Sequence, residues 1–470
     1  MSAEVATHIY ERRWWILAAT VGVSLMAPID GSALNIAISP IQHDFHVVLG
    51  QVAWVSLVYL LVIAGLLLPL GRLGDLYGFR RLFLLGVGIF TVASAACGFA
   101  PSLGWLITGR IVQGIGACLI MALSPGITTA IFPSRERGRA LGLMGMGIAI
   151  GLVMGPTLAG FLIDWQSWRW IFFINLPIGL LGGLWCARML PELPLAERRR
   201  IDWIGAALAV TMLASFLLVI TQGATWGWLT PITIILLAMA LLSGVAFFTV
   251  ELRHPAPMLD LSLFKNKVFT GANLAAMMNF LGQFCAVFLT PLLLQRGLGF
   301  RAEKAGLIMG TLPMAVLVLA PVSGALSDKF GTRMLAVIGE SLVAIGLLVL
   351  AAVIASGQLL HIIPALLLVG VGTGLFQAPN NSAIMGSVPR THLGIGGGVM
   401  ATMRNLGMAF GIAISSAVAV AGEHRYLLIH PGAVAPALIH GIRLGYVVGA
   451  AFAFLGTLTS AIRQDHPRHN

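Results

Sequence analysis

Charge is what this chain has least of. Only 10% of its 470 residues are charged while 58% are hydrophobic, and its mean hydropathy is +0.94. A water-soluble protein of this length carries about a quarter charged residues, so the composition excludes an ordinary soluble fold and implies a polytopic membrane protein. Lysine occurs four times, never after a glycine, which removes the G-K-[ST] phosphate loop. There is no complete GxGxxG, GxSxG or HExxH, so neither a nucleotide cofactor, a hydrolase elbow nor a zinc site is signalled. Four cysteines, Cys97, Cys118, Cys186 and Cys285, all fall in apolar runs and none forms CxxC; they read as small buried thiols, not as disulfides. These gaps leave no catalytic constellation, and the chain is expected not to be an enzyme and to need no cofactor.

What is present is a succession of apolar runs long enough to cross roughly 30 Å of hydrocarbon. They lie at 14–36, 51–70, 82–100, 104–132, 139–163, 169–190, 203–221, 231–250, 268–294, 303–325, 335–356, 361–387, 394–421 and 441–462, and are called spans 1 to 14. The first is too long for a signal-peptide core, and no convincing cleavage site follows it. The net charge of +11 does not point to nucleic acid, because the basic residues fall in short clusters between spans. With the N-terminus inside, twenty of the 28 Lys and Arg are cytoplasmic, six are outside (Arg169, Arg296, Arg301, Lys304, Arg425, Arg443) and two, Arg110 and Arg404, lie within spans. That asymmetry predicts both termini in the cytoplasm.

An internal repeat organises the spans. The turn after span 2, GRLGDLYGFRR, and the turn after span 10, GALSDKFGTRM, share G-x-L-x-D-x-x-G-x-R, with Asp75 and Asp328 at matching positions. GIGACLI at Gly114 answers GVGTGLF at Gly370, and Pro133 answers Pro389, at nearly the same offset. The expected division is an all-α protein with an N-terminal six-helix bundle (1–190), two inserted spans with their flanking loops (191–267) and a C-terminal six-helix bundle (268–470). Parallel repeats of this kind place substrate near the midplane between the halves, which predicts alternating access.

The motifs at these positions resemble the major facilitator superfamily, specifically its fourteen-helix drug:proton antiporter branch. GRLGDLYGFRR is similar to motif A, although Leu76 and Phe79 stand where basic residues are usual. RIVQGIGA, from Arg110 to Ala117, is similar to motif B, and GIAIGLVMGPTLAG, from Gly147 to Gly160, to motif C, with Ala159 for the first glycine of its terminal pair. PIDGSALNIAISPI and WRWIFFINLPIG resemble the branch's signatures in span 1 and from Trp168 onward. The resemblance implies a cytoplasmic gate built from Gly71, Asp75, Gly78, Arg80 and Arg81 and from Asp328 and Arg333. In it, Asp75 faces the glycine-rich N-terminus of span 13 (Gly394, Gly396, Gly397, Gly398), whose dipole favours an anion. Motif C places Gly147, Gly151 and Gly155 at i, i+4 and i+8 ahead of a kink at Pro156 and the closing Gly160. Such a smooth helix face packs closely, and the resemblance implies that it seals the outer side.

Asp30 is an acid inside span 1, and Arg110 lies at comparable depth in span 4. A charge at the bilayer centre costs at least ~2.5–3.5 kcal/mol, so each needs a cavity or a partner. Desolvation and the neighbouring guanidinium pull the carboxyl's proton affinity in opposite directions, as proton coupling requires; a permanent structural pair is the alternative. By the repeat, Asp30 maps onto Gln283 in span 9. Asn279, Gln377, Asn380 and Asn381 are expected to supply a hydrogen-bonding wall, with Phe280, Phe284 and Phe376 as apolar surface and Gln113 of motif B beside them. Such a pocket suits lipophilic, often cationic, compounds. Glu340 is expected near the cytoplasmic interface, snorkelling. Arg404, deep in span 13, is expected to have an interdomain or cavity-facing partner. His43 and His46 in an outer loop give no metal site. The expectation is a proton-driven exporter of small amphipathic compounds, of multidrug-efflux type, monomeric, in a bacterial inner membrane and contacting lipids, its substrates and protons. The alternative is a narrow exporter of one metabolite, antibiotic or siderophore on the same scaffold.

Overall fold

The computed structural model describes residues 3–192, 202–253, 261–354, 357–388 and 393–462. Among them every regular element is helical. Thirteen helical stretches are long and apolar enough to cross a membrane. The fourteenth, span 5, is one unbroken helix, Ser134–Trp165. Fourteen crossings leave both termini on one face, the expected cytoplasmic one; the opposite face is called the far face below.

Proline and glycine set the local departures from straight helices. Span 1 runs Ala3–Ser24 and Met26–Phe45. The break at Leu25 falls where Pro28, lacking an N–H, cannot bond the Ser24 carbonyl four residues back. Span 9, Lys267–Leu292, passes through Pro291 into one π-helical turn at Leu293–Gly297. The paired turns of the repeat are superposable in their chemistry. Gly78 ends span 2 (Trp54–Tyr77) with φ +95°, and Gly331 ends span 10 (Ala302–Phe330) with φ +85°. Both conformations exclude most side chains, which explains why the second glycine of each turn recurs.

The first half packs span 2 on span 4 (Leu103–Ile131), span 4 on span 3 (Phe79–Gly98), and span 5 on span 1, with span 6 (Trp170–Phe173 and Asn175–Met189) on span 3. The second half repeats this, packing span 12 (Leu359–Gly386) on spans 10 and 11 (Thr332–Val353), and span 14 (Val434–Ile462) on spans 9, 11 and 13 (Leu393–Ile429). Across the middle, span 5 lies along span 10 and span 2 along span 13. Of the inserted pair, span 8 (Pro231–Arg253) turns Ile234, Ile235, Leu241, Leu242 and Val245 outward, as a lipid-facing helix does. Span 7 (Trp203–Trp226) touches both halves. A Cβ at Gly65 of span 2 would stand 2.5 Å from Val210, and Phe216 meets Phe410 of span 13 edge-on, with ring centroids 5.8 Å apart.

Candidate functional site

Asp30 sits two residues beyond the Pro28 break, on the face of span 1 that looks into the first half. It and Arg110 are sealed, 2% and 0% exposed. The Arg110 guanidinium donates to one oxygen of Asp30 through a short contact, to Gln113 Oε1 at 2.7 Å and, through Nε, to the Val55 carbonyl at 3.1 Å. The other Asp30 oxygen accepts from Gln113 Nε2 at 2.9 Å and Asn175 Nδ2 at 3.2 Å. Both amides also meet Ser94 Oγ, at 3.2 and 3.0 Å, which itself donates to the Phe172 carbonyl at 3.0 Å. The Tyr59 ring closes one side, 4.1 Å from the guanidinium carbon. Spans 1, 2, 3, 4 and 6 thus converge on a single carboxylate, and charge-assisted bonds of this kind are the strong ones.

The structure pairs Asp30 with Arg110, as their depths suggested, but encloses them within the first half instead of placing them on an open wall. Gln113, expected among the substrate contacts, belongs to this enclosed network. Asn175 and Ser94 were missed; the signal available was a further polar residue inside each of spans 6 and 3.

In the second half the expected wall is split. Phe376 is 1% exposed and packs with Ala275 and Ala336, away from the seam between halves. Asn380 is buried and donates to the Ala272 carbonyl at 2.9 Å. Asn279 donates to Glu340 at 3.2 Å, and both are fully buried. Glu340 is therefore not at the interface: it points inward from span 11, and a Cβ at Gly456 of span 14 would come within 2.7 Å of it. Packing against spans 9 and 14, absent from a reading of one span alone, overturns the snorkelling expectation. Phe280 and Phe284 lie against Gly407 and Gly411 of span 13, with Gln283 nearly buried. Gln377 is half-buried and Asn381 exposed.

Motif C has two partners. Cβ atoms at Gly147 and Gly151 would stand 2.6 Å from Val21 and 3.0 Å from Pro28, and one at Gly155 would overlap Ser32 and lie 2.8 Å from the Ile29 carbonyl. The glycine stripe therefore beds against span 1, flanking Asp30 within the same half. Contact across the seam falls to the end of the motif. A Cβ at Gly160 would meet the Ala302 carbonyl at 2.6 Å, and Gly306 abuts the Pro156 carbonyl.

Polar contacts fasten the same far face. Asp164 Oδ2 pairs with Arg301 at 3.2 Å and accepts the Glu303 N–H at 3.2 Å. Gln295, in the π-helical turn, donates to the Ile36 carbonyl at 2.9 Å, and Arg296 donates to Gln42 at 2.9 Å. The far face is closed, with a crevice of about 450 Å³ outside it bounded by His43, Asp44, Trp168 and Phe300. On the terminal face, nothing stands within 4 Å of a Cβ built at Gly397. Of the expected gate, Gly71 packs toward Ala122. Arg80 donates to the Ala187 carbonyl at 2.7 Å and, with Arg81, lies 4.0 Å from Glu192. These contacts stay within the first half. The side chains of Asp75 and Asp328 lie outside the described residues, and Arg333 begins span 11. Arg404 is half-buried on span 13, and its Nε is buried with no hydrogen-bond partner.

Two similar helical halves, an enclosed ion pair in one and contacts that close the far face between them form the architecture of a membrane transporter. The Major Facilitator Superfamily profile matches residues 20–412 and again 272–469, and the chain belongs to that superfamily. It is 34% identical over 407 residues to the riboflavin transporter RibZ of Clostridioides difficile, covering 86% of this chain and 88% of that one. It is 32% identical to the multidrug resistance protein Stp of Mycobacterium tuberculosis, covering 86% and 75%. Among solved structures, a bacterial homologue of the human lysosomal transporter Spinster shares the fold, with a TM-score of 0.69 at 17% identity over 97% and 99% of the two chains.

Proposed function

We propose that this transporter is a proton-coupled antiporter that exports small amphipathic compounds across a bacterial inner membrane, with both termini in the cytoplasm and the far face outside. The observation that carries the reading is the Asp30 network. In a shape closed to the outside, the acid is held by Arg110, Gln113 and Asn175 as a carboxylate, which is the form expected after its proton has left toward the cytoplasm. Because the glycine stripe of span 5 beds on the stretch of span 1 that bears Asp30, opening the far face moves the walls of that network. Parting Arg110 from Asp30 leaves a buried carboxylate that takes a proton from outside. Inward closure would then restore the pair and expel the proton. Each proton supplies about 1.4 kcal/mol per pH unit of gradient, plus about 2.3 per 100 mV for each net charge moved. No cofactor enters this cycle, and one chain suffices for it.

Export of several compounds is supported by likeness to the multidrug resistance protein Stp. Likeness to the riboflavin transporter RibZ supports a second reading, one dedicated cargo on the same scaffold. Efflux of a panel of amphipathic dyes from cells, with and without an uncoupler, separates the two. Proton coupling is tested in everted vesicles by substrate-driven collapse of an imposed pH gradient. Asp30→Asn should reduce that collapse at least tenfold. Undiminished collapse in the variant assigns the proton to another group.

A further inference from the structure

Two arginines lie inside spans, and among the described residues only one has an acidic partner. Arg110 is matched by Asp30, whereas Arg404 has no ion-pair or hydrogen-bond partner among the described residues, and its Nε is buried and unsatisfied. Arginine stays charged in any protein environment. Eleven residues beyond Leu393, at 1.5 Å each, it stands ~16 Å from the start of span 13, deeper than lipid headgroups reach.

Its position on the helix says where it looks. Met400 packs on the second-half cluster of Phe269 and Ile384, whereas Ala401 packs on the main cluster of the first half. Arg404 follows these two at i+4 and i+3, so it lies one turn along, over the line that divides them. That line is the seam between the halves, where a facilitator holds its cargo. One turn further, a Cβ at Gly407 would stand 3.0 Å from the Phe280 Cβ, which places the base of an apolar side chain beside the charge. Asp30, the group that would favour a cation, is locked to Arg110 and offers no free charge to the seam.

The geometry points to Arg404 as the group that recognises cargo, and to the cargo as an amphipathic organic acid. Its carboxylate or equivalent anionic oxygen would pair with the guanidinium while its ring or chain lies along Phe280. This rests on the exporter reading for the location of the site, but not on proton coupling.

The test is equilibrium binding to the full-length protein in lipid nanodiscs, without any gradient. The probes are three naphthalene compounds sharing a four-carbon tail that ends in carboxylate, alcohol or ammonium. Wild type should bind the carboxylate at least tenfold more tightly than the other two. Arg404→Gln should bring all three within about twofold of one another with the alcohol unchanged, and Arg404→Lys should keep part of the preference. Thermal unfolding of each variant checks that it is folded; if Arg404→Gln is not, Arg404→Lys and the wild-type ranking decide. Equal or tighter binding of the ammonium probe by wild type, no measurable carboxylate binding, or an undiminished preference in Arg404→Gln overturns the assignment. If Asp30→Asn abolishes gradient collapse yet keeps the carboxylate preference, both readings stand. A lost preference in Arg404→Gln with coupling intact in Asp30→Asn fails only the proton assignment.

Discussion

At the scale of single residues, the ion pair in the first half is a matter of mutual dependence. Asp30 and Arg110 are each 1% exposed at the side chain, so neither can fall back on water when the other is removed. Breaking a buried pair from one side costs about 3–5 kcal/mol, whereas removing both partners costs far less. Arg110→Leu should therefore lower the unfolding midpoint strongly, and Asp30→Asn combined with Arg110→Leu should recover a large part of the loss. The check is thermal unfolding in detergent across the four-member cycle; additive losses would mean that the two side chains do not depend on one another. This pair was legible in the sequence because two charges at equal depth in apolar spans need explaining. Its amide partners were not legible. Asn175 opens the second helical segment of span 6, and Ser94 is an unremarkable serine until span 3 is packed against span 4. Glu340 shows the converse: counting residues from the end of span 11 put it near the interface, but its surroundings come from spans 9 and 14.

Among elements, span 5 does two jobs along one face. Its glycines up to Gly155 accommodate span 1, and Pro156 with Gly160 accommodates span 10. The periodicity of motif C made a smooth face readable, but nothing in the spacing of glycines distinguishes a partner in the same half from one across the seam. The structure makes that division testable. A leucine at Gly155 collides with Ser32 and the Ile29 carbonyl inside the first half, where overpacking costs roughly 1–3 kcal/mol. A leucine at Gly160 collides instead with the backbone of Ala302, in a helix able to move away. Gly155→Leu should lower the unfolding temperature and transport together, whereas Gly160→Leu should spare stability and lose transport. Parallel measurement of unfolding and dye efflux checks this, and equal destabilisation by both would place the two glycines in one packed unit. Span 7 belongs to the same scale. Hydropathy marked it as one of two inserted spans, yet its contacts with Gly65 of span 2 and Phe410 of span 13 follow from side chains on three separate helices, and no single stretch of sequence displays them.

For the molecule as a whole, the far face is fastened by the chemistry expected of the terminal-face latch. The expected terminal-face latch sets Asp75 of span 2 toward the N-terminus of span 13, and the far face sets Asp164 of span 5 on the N-terminus of span 10, where it accepts the Glu303 amide and pairs with Arg301. A carboxylate at the start of a helix is favoured by the orphan N–H groups and the dipole there, and across a seam it becomes a reversible clasp. Its strength has to be modest. Arg301 is 75% exposed at the side chain, so its pairing contributes no more than about 1 kcal/mol, and the amide bond adds a similar amount. A clasp of up to about 2 kcal/mol biases two shapes by at most about thirtyfold without trapping either. Asp164→Asn removes the charge pair and keeps an acceptor for the Glu303 amide, so it should shift the population toward far-face opening by up to about fivefold. Spin labels at Phe99 and Leu360, exposed residues at the far-face ends of spans 3 and 12, with the four buried cysteines replaced, would report the change as growth of a longer-distance peak. An unchanged distance distribution in Asp164→Asn would assign closure to the Gly160–Ala302 and Pro156–Gly306 contacts alone. In that case the far face is held by close packing of backbone on backbone, and charge serves only to orient the helix ends as they meet.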